Sequence, residues 1–216
     1  MLKFFRSTNH HKKYWRERRI DWKQSYTSTW NHPHRALISA VLKTFNWLSL
    51  IEIGCGSGAN LINIIKTFPG RQVGGVDINP DAIEQATKTF NGGYFKVGSG
   101  DDIMMSDDST DCVLSDMCLI YVGPKEIKKY LNEMKRIGRH HIVLCEFHSD
   151  SWWNRMALRF NSGYYAYNYD KLLKKLGYYD IIKLKLRPED WPEEDGTPGG
   201  EPQKTFCYII KARIIK

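Results

Sequence analysis

The residues best placed for chemistry lie in "IEIGCGSGAN", positions 51–60, where Glu52 stands two residues ahead of glycines at 54, 56 and 58. Alternating glycines permit a tight turn with positive φ and let a ligand approach backbone N–H groups at the start of a helix. Gly54-Cys55-Gly56-Ser57-Gly58-Ala59 also satisfies the dinucleotide pattern G-x-G-x-x-G/A, so the glycines alone leave the cofactor open. The acid separates the alternatives. A carboxylate at Glu52 would face the pyrophosphate of a dinucleotide, like charge against like, but would favour a ligand with a cationic sulfonium and an ammonium group. S-adenosylmethionine has both. Asp77 follows 23 residues after Gly54, at the end of a second strand, where a carboxylate can accept the ribose hydroxyls of either cofactor.

Around these residues strand and helix alternate. Residues 34–47 show helical spacing at Leu37, Val41 and Phe45, and a short strand over 49–53 runs into the glycine loop. A helix follows over 58–68, a strand over 72–78, and a helix over 79–90 with Asn79 as N-cap and Pro80 at its first position. Strands are predicted over 94–99 and 110–117, an amphipathic helix over 124–138, and a fully buried strand over 141–147. After an aromatic stretch come a last helix over 169–178 and two strands, 180–186 and 205–215. This order predicts a doubly wound, mostly parallel seven-stranded sheet. The last two strands have only an acidic loop between them, so they are expected to pair as a C-terminal antiparallel β-hairpin.

Composition sets the class. Hydrophobic residues make up 42% and charged residues 26%, as in an ordinary soluble protein. No apolar run approaches the ~18 residues that span a bilayer, and the start is too quickly charged for a secretory signal, so no membrane partner is expected. The five cysteines include no C-x-x-C pair, which predicts neither a disulfide framework nor a metal site, and a reducing, cytoplasmic setting is the natural expectation. The net charge of +8 is carried wholly by residues 1–48, where ten Lys/Arg meet only Glu17 and Asp21. Such a basic arm could meet nucleic acid. It could equally pair with residues 188–202, which hold six acids and no base. Both alternatives stand at this point.

The chain resembles the class I S-adenosylmethionine-dependent methyltransferases, a Rossmann-like family. "LIEIGCGSGANL" looks like their glycine motif, "GGVDINPDAI" like the second motif, and "GSGDDIMMSDDSTDCVLSDMCLIYV" like the third and fourth. The resemblance covers roughly residues 34–214, and the reversed terminal hairpin is also what that family builds. It implies a basic aromatic arm or lid over 1–33 and a cofactor-binding methyltransferase domain over 34–216. It further implies that Glu52, Gly54, Cys55, Gly56 and Gly58 cradle the methionine end, that Asp77 and Ile78 hold the ribose, and that Asp101, Asp102 and Ile103 flank the adenine. Asp116 would face the sulfonium or the acceptor, and Tyr26 would be a lid contact.

Ligands of open α/β sheets bind beyond the carboxyl ends of the strands, which makes Asp116, Tyr121, Glu146 and His148 the candidates for acceptor and proton chemistry. His148 is the expected base, since an unperturbed imidazole titrates near pH 6.5. Trp152, Trp153 and Tyr164 lie in a dense aromatic stretch suited to a planar or cationic acceptor. A small-molecule acceptor is favoured, because no separate nucleic-acid-binding domain is present and the fourth strand ends in "SDMCLIY", without the Asn/Asp-Pro-Pro-Tyr/Phe signature of base-amine methyltransferases. RNA or DNA methylation through the basic arm, or a non-catalytic cofactor-binding scaffold, are the alternatives.

Overall fold

The computed structural model describes residues 7–191 and 201–215. Seven strands form one sheet: β1 (Ser49–Ile53), β2 (Gln72–Asp77), β3 (Phe95–Val97), β4 (Thr110–Asp116), β5 (Gly138–Phe147), β6 (Tyr178–Lys185) and β7 (Cys207–Ile214). Their order is β3-β2-β1-β4-β5-β7-β6. Pairs among the first five strands are parallel, and β7 runs antiparallel to both β5 and β6. The expected terminal hairpin is therefore present, with its second strand slotted inside its first.

Alternation along the strands divides the interior into two cores. One face buries Leu50, Cys112, Leu114, Val143, Cys145 and Phe147 against α3 (Pro33–Leu42) and α4 (Ala59–Thr67), through Ile38, Leu42, Leu61 and Ile64. The other buries Ile51, Ile53, Val113, Ile142 and Leu144 against α6 (Ile127–Ile137), through Leu131 and Met134. Between β2 and β3 lies α5 (Pro80–Thr89), capped by Asn79 and started by Pro80 as its sequence predicts.

Several elements differ from expectation. The first core helix stops at Leu42, and Trp47 instead buries itself in the following turn with its Nε1 donating to the Leu42 carbonyl. The aromatic stretch is itself a helix, α7 (Trp152–Ser162), capped by Ser151 and ended by a left-handed Gly163. The last helix, α8, is shorter than predicted (Tyr169–Lys175). A short helix, α9 (Glu201–Phe206), leads straight into β7, so the link between the last two strands is not loop alone. Most of the acidic stretch 188–202 lies outside the described residues; Asp190, which is described, pairs with Arg187 and not with the arm.

Residues 8–17 form α1 and residues 22–25 form α2. The two lie across the carboxyl ends of β1, β2 and β4. Ser57 Oγ donates to the Trp22 carbonyl at 3.0 Å, and the Asn79 amide donates to the carbonyls of Trp15 (2.7 Å) and Arg18 (2.8 Å).

Candidate active site

Strand order reverses between β1 and β4, and in sheets of this kind the crevice beyond such a switch point is where ligands bind. The glycine loop leaves β1 there with positive φ at Gly54, Gly56 and Gly58. A Cβ on Gly54 would lie 2.5 Å from Cys118 Sγ, and one on Gly58 would lie 2.5 Å from the Phe90 ring, so both positions need glycine for space as well as for φ. Cys55 is buried against Gly75, which explains the Gly74-Gly75 pair as close packing.

Asp77, at the end of β2, is held by the backbone: Oδ2 accepts from Gly56 N at 2.8 Å and Oδ1 from Asn79 N at 2.8 Å. Burial raises its pKa, against the bonds from Asn79, Gly56 and Ile78. Ile78 beside it is half-buried. Glu52 is fully buried, and its Oε1 accepts from Asn60 Nδ2 at 2.6 Å. Burial pushes its carboxyl up to about 8, with the Asn60 bond opposing and the Asp116 charge adding to the rise.

The same Asn60 amide donates to Asp116 Oδ2 at 2.9 Å, tying the end of β1 to the end of β4. Asp116 Oδ2 also accepts from His34 Nε2 at 3.0 Å and lies 3.4 Å from Arg35 Nη1, which itself donates to Asn60 Oδ1 at 2.6 Å. Burial would raise the Asp116 pKa, but His34, Arg35 and Asn60 outweigh it and hold the carboxylate well below its ordinary range. His34 continues to His32 by an Nδ1–Nδ1 contact and stacks on Trp191 at 4.0 Å. His34, Arg35 and Asn60 carry no sequence motif. Their signal is polar residues on the otherwise apolar first turns of α3 and α4.

Four buried polar atoms along this crevice have no hydrogen-bond partner among the described residues: Glu52 Oε2, Asp116 Oδ1, Trp15 Nε1 and Trp22 Nε1. Unsatisfied buried groups are rare and costly, and a cluster of them is what a bound polar ligand would complete. Two are acceptors on carboxyl groups, as an ammonium or sulfonium requires, and the glycine loop beside them is open to backbone approach. The donor set fits S-adenosylmethionine.

Residues 50–141 match the family described as "Methyltransferase domain", a stretch that runs from β1 into β5. Solved structures share the whole fold. The Haloferax volcanii complex between the Trm112 methyltransferase activator and its methyltransferase matches at TM-score 0.64 with 17% identity, over 92% of this chain and 99% of that one. Magnesium protoporphyrin IX methyltransferase from Synechocystis PCC 6803, with bound S-adenosylmethionine, matches at TM-score 0.63 with 14% identity over 100% of both chains. Residues 50–141 thus match a methyltransferase domain, and the chain shares its fold with S-adenosylmethionine-dependent methyltransferases. An uncharacterized protein of Rickettsia prowazekii (strain Madrid E) is 40% identical over 47 residues, which are 22% of this chain and 19% of that relative.

Beyond the end of β4 three tyrosines converge. Tyr121 packs edge-on against Tyr164 at 5.6 Å and against Trp15 of α1 at 5.4 Å, and Tyr26 lies on Trp22 at 5.2 Å. Burial, with the neighbouring Tyr164 and Tyr26 hydroxyls, raises the Tyr121 pKa well above its usual value. Burial also raises that of Tyr26, which feels both Asp77 and Arg35. Asp101 receives Lys12 of α1 at 2.8 and 2.9 Å and the Ser99 hydroxyl. Despite partial burial these bonds lower its pKa. Asp102 faces solvent, and Ile103 is buried in the second core with its N–H on Glu133.

Other candidates stand elsewhere. Glu146 and His148 follow the alternation of β5 onto the face opposite Cys145, whereas Asp116 pairs with Cys145 and shares its face. Glu146 is fully buried. Its Oε1 accepts from Ser115 Oγ and from the N–H groups of Cys118 and Leu119, and its Oε2 from Ile120 N, at 2.7–3.2 Å. It organises the turn after β4 and has no surface left for a substrate. Burial pushes its carboxyl up to about 8 against these donors. His148 is buried between Tyr169 and Tyr208, with Nδ1 accepting from Tyr169 N and Nε2 3.2 Å from Lys183 Nζ. Burial first, then the Lys183 charge, lowers its pKa. Both ring nitrogens are engaged away from the crevice, so His148 is not placed to act as the base. Trp152 and Trp153 face solvent on α7 and line no part of the crevice.

Between α1 and the turn after β4 a cleft of only about 60 Å³ remains, lined by His11, Lys12, Trp15, Cys118 and Tyr121 among others. A larger cavity of about 600 Å³ opens at the opposite, amino-terminal edge of the strands and contains none of the candidate residues. Among the described residues no helix is long and apolar enough to cross a membrane, and no cluster of His, Cys, Asp and Glu could hold a metal ion.

Proposed function

We propose that this protein methylates a small-molecule acceptor held between the tyrosine wall and the Asp116 cluster, under an arm that closes over the cofactor. Bound S-adenosylmethionine supplies a methyl group on a cationic sulfur, open to in-line displacement. Glu52 binds the ammonium end, the glycine loop offers N–H groups to the carboxylate, and Asp77 accepts from the ribose hydroxyls. Asp101 lies at the adenine side. Asp116, kept ionised by His34, Arg35 and Asn60, presents Oδ1 to a donor on the acceptor and so orients its nucleophilic atom. Tyr26, Tyr121 and Tyr164 wall the acceptor and exclude water.

The observation that carries this reading is the enclosure of the site by its own arm. Lys12 is engaged by Asp101 and Arg19 by Asp81, so part of the arm's positive charge serves the fold. The exposed Lys13, Arg16 and Lys23 favour the second reading, a nucleic-acid acceptor. The solved relatives, one named for magnesium protoporphyrin IX and one paired with the Trm112 activator, share the fold and do not choose between the two.

The test is transfer of label from methyl-labelled S-adenosylmethionine into a cell extract split into small-molecule, RNA, DNA and protein fractions. A Glu52→Ala, Asp77→Ala double variant serves as the blank. Label in the small-molecule pool is expected. Label confined to RNA or DNA would overturn the proposal and give residues 7–33 the substrate-binding role.

A further inference from the structure

The cavity of about 600 Å³ lies at the end of the sheet opposite the crevice, where β1 and β2 begin. Its volume is that of a small-molecule pocket, for which roughly 300–1,000 Å³ is usual. Cofactor and acceptor belong at the carboxyl ends of the strands, so the proposed methyl transfer has no use for it. Leu50 and Ile51 of β1, Ile65 of α4, Val73 of β2 and Phe90 give it apolar walls. Phe90 also fills the space under Gly58, where a Cβ would lie 2.5 Å from its ring, so the cavity backs onto the glycine loop.

The polar part of the lining holds a single full charge, and it is positive. Among the described residues no Asp, Glu, Lys or His lines the cavity, and Arg71, which does, has no ion pair. Its guanidinium lies 5.4 Å over the Trp47 ring, which holds it in place without neutralising it. The acids next to the lining in sequence are engaged or turned away: Asp107 pairs with Arg136 and Asp111 with Arg139, while Asp108 is exposed outside the lining. The turn after α5 adds donors to the same wall. Gly92 and Gly93 take φ of +99° and +101°, and the N–H groups of Asn91, Gly92 and Gly93 donate to no protein acceptor among the described residues. Successive free N–H groups in a turn favour an anion, as an unpaired guanidinium does. We propose that this cavity is a second ligand site and that it takes a small organic anion, one carboxylate, sulfonate or phosphate group on a flat apolar body. Arg71 and the turn receive the anionic group, and the walls of Leu50, Ile65 and Val73 receive the body. The site stands whatever the acceptor at the other end of the sheet is.

The test is fluorescence titration of the full chain with two dyes of similar shape, the anion anilinonaphthalene sulfonate and its uncharged counterpart phenylnaphthylamine. Saturable binding of the anionic dye, one per chain, is expected. Arg71→Met should weaken it roughly tenfold, as loss of a charge-assisted hydrogen bond does, and leave the neutral dye unaffected. Thr89 is exposed where α5 ends at the cavity, so Thr89→Trp should block both dyes with the melting curve unchanged. Saturating S-adenosylhomocysteine should displace neither dye. Anionic-dye binding that both substitutions leave intact would put the dye elsewhere, on the exposed tryptophans of α7 for instance, and would overturn the proposal. So would displacement by S-adenosylhomocysteine, an Arg71→Met loss that is equal for the two dyes, or no binding of the anionic dye at all.

Discussion

The two halves of the crevice are built by different means. The half beneath the glycine loop is made by backbone: three positive-φ glycines, and a carboxylate, Asp77, held by two main-chain N–H groups. The half beyond β4 is made by side chains from distant segments, His34 and Arg35 before β1, Asn60 after it and Asp116 on β4, with tyrosines from three further places. Backbone construction fixes local residue types and so leaves a motif. Side-chain construction fixes only a meeting point, which many sequences could reach.

Asn60 is where the halves join, and removing it should have the largest effect. Asn60→Leu leaves Glu52 Oε1 without its partner and Asp116 and Arg35 each with one fewer, at a cost of roughly 3 kcal/mol in chemical denaturation. Cofactor affinity should fall as well, read by calorimetry. A loss confined to turnover, with cofactor affinity intact, would show that the halves are independent.

The second prediction sharpens the contrast between Glu52 and Asp116, two buried carboxyls on one amide with opposite shifts. Without a cationic ligand Glu52 is protonated below about 8 in the fold but ionised above its ordinary value of 4.5 when unfolded. The native state thus binds the extra proton, and its contribution to stability fades as pH rises from 4.5 through about 8. A cationic ligand favours the ionised form, so affinity for S-adenosylmethionine should rise with pH over the same window, toward about tenfold per pH unit. Glu52→Gln should flatten that profile in a titration at several pH values.

The smallest effect is expected at Lys12→Ala. The Lys12–Asp101 pair is partly exposed, so its loss should cost at most about 1 kcal/mol. It should nevertheless speed proteolysis within residues 7–33, because that pair pins α1 over the crevice.

Legibility in the sequence followed the same division. Strands β1, β2, β4 and β5 were readable from apolar runs, and the start of α5 from Asn79-Pro80, because local chemistry decides them. The glycine loop was readable for the same reason. Asn60 and His34 were not, since a polar residue on a buried turn announces burial but not its partner. His148 was misplaced by trusting proximity to a strand end. In a sheet, neighbours one position apart face opposite cores, and only packing on both sides decides which face meets the crevice. The aromatic stretch was read as lining, whereas Leu158 and two arginines turn its helix the other way.

Asn79 fastens two helices at once. Its carbonyl oxygen receives Ala82 N at the head of α5, while its amide grips the last carbonyls of α1 and its cap, Trp15 and Arg18. This latch is neutral and buried, so neither salt nor pH weakens it. The fastening at the other side of α1, Lys12 on Asp101, is ionic and partly wet, and salt screens it. A third fastening stands at the start of α1, where the buried Thr8 hydroxyl accepts from Gly123 N at 2.8 Å and donates to Glu126 at 2.9 Å. Rising ionic strength should therefore release only the ionic clasp midway along α1, leaving the helix pinned at both ends.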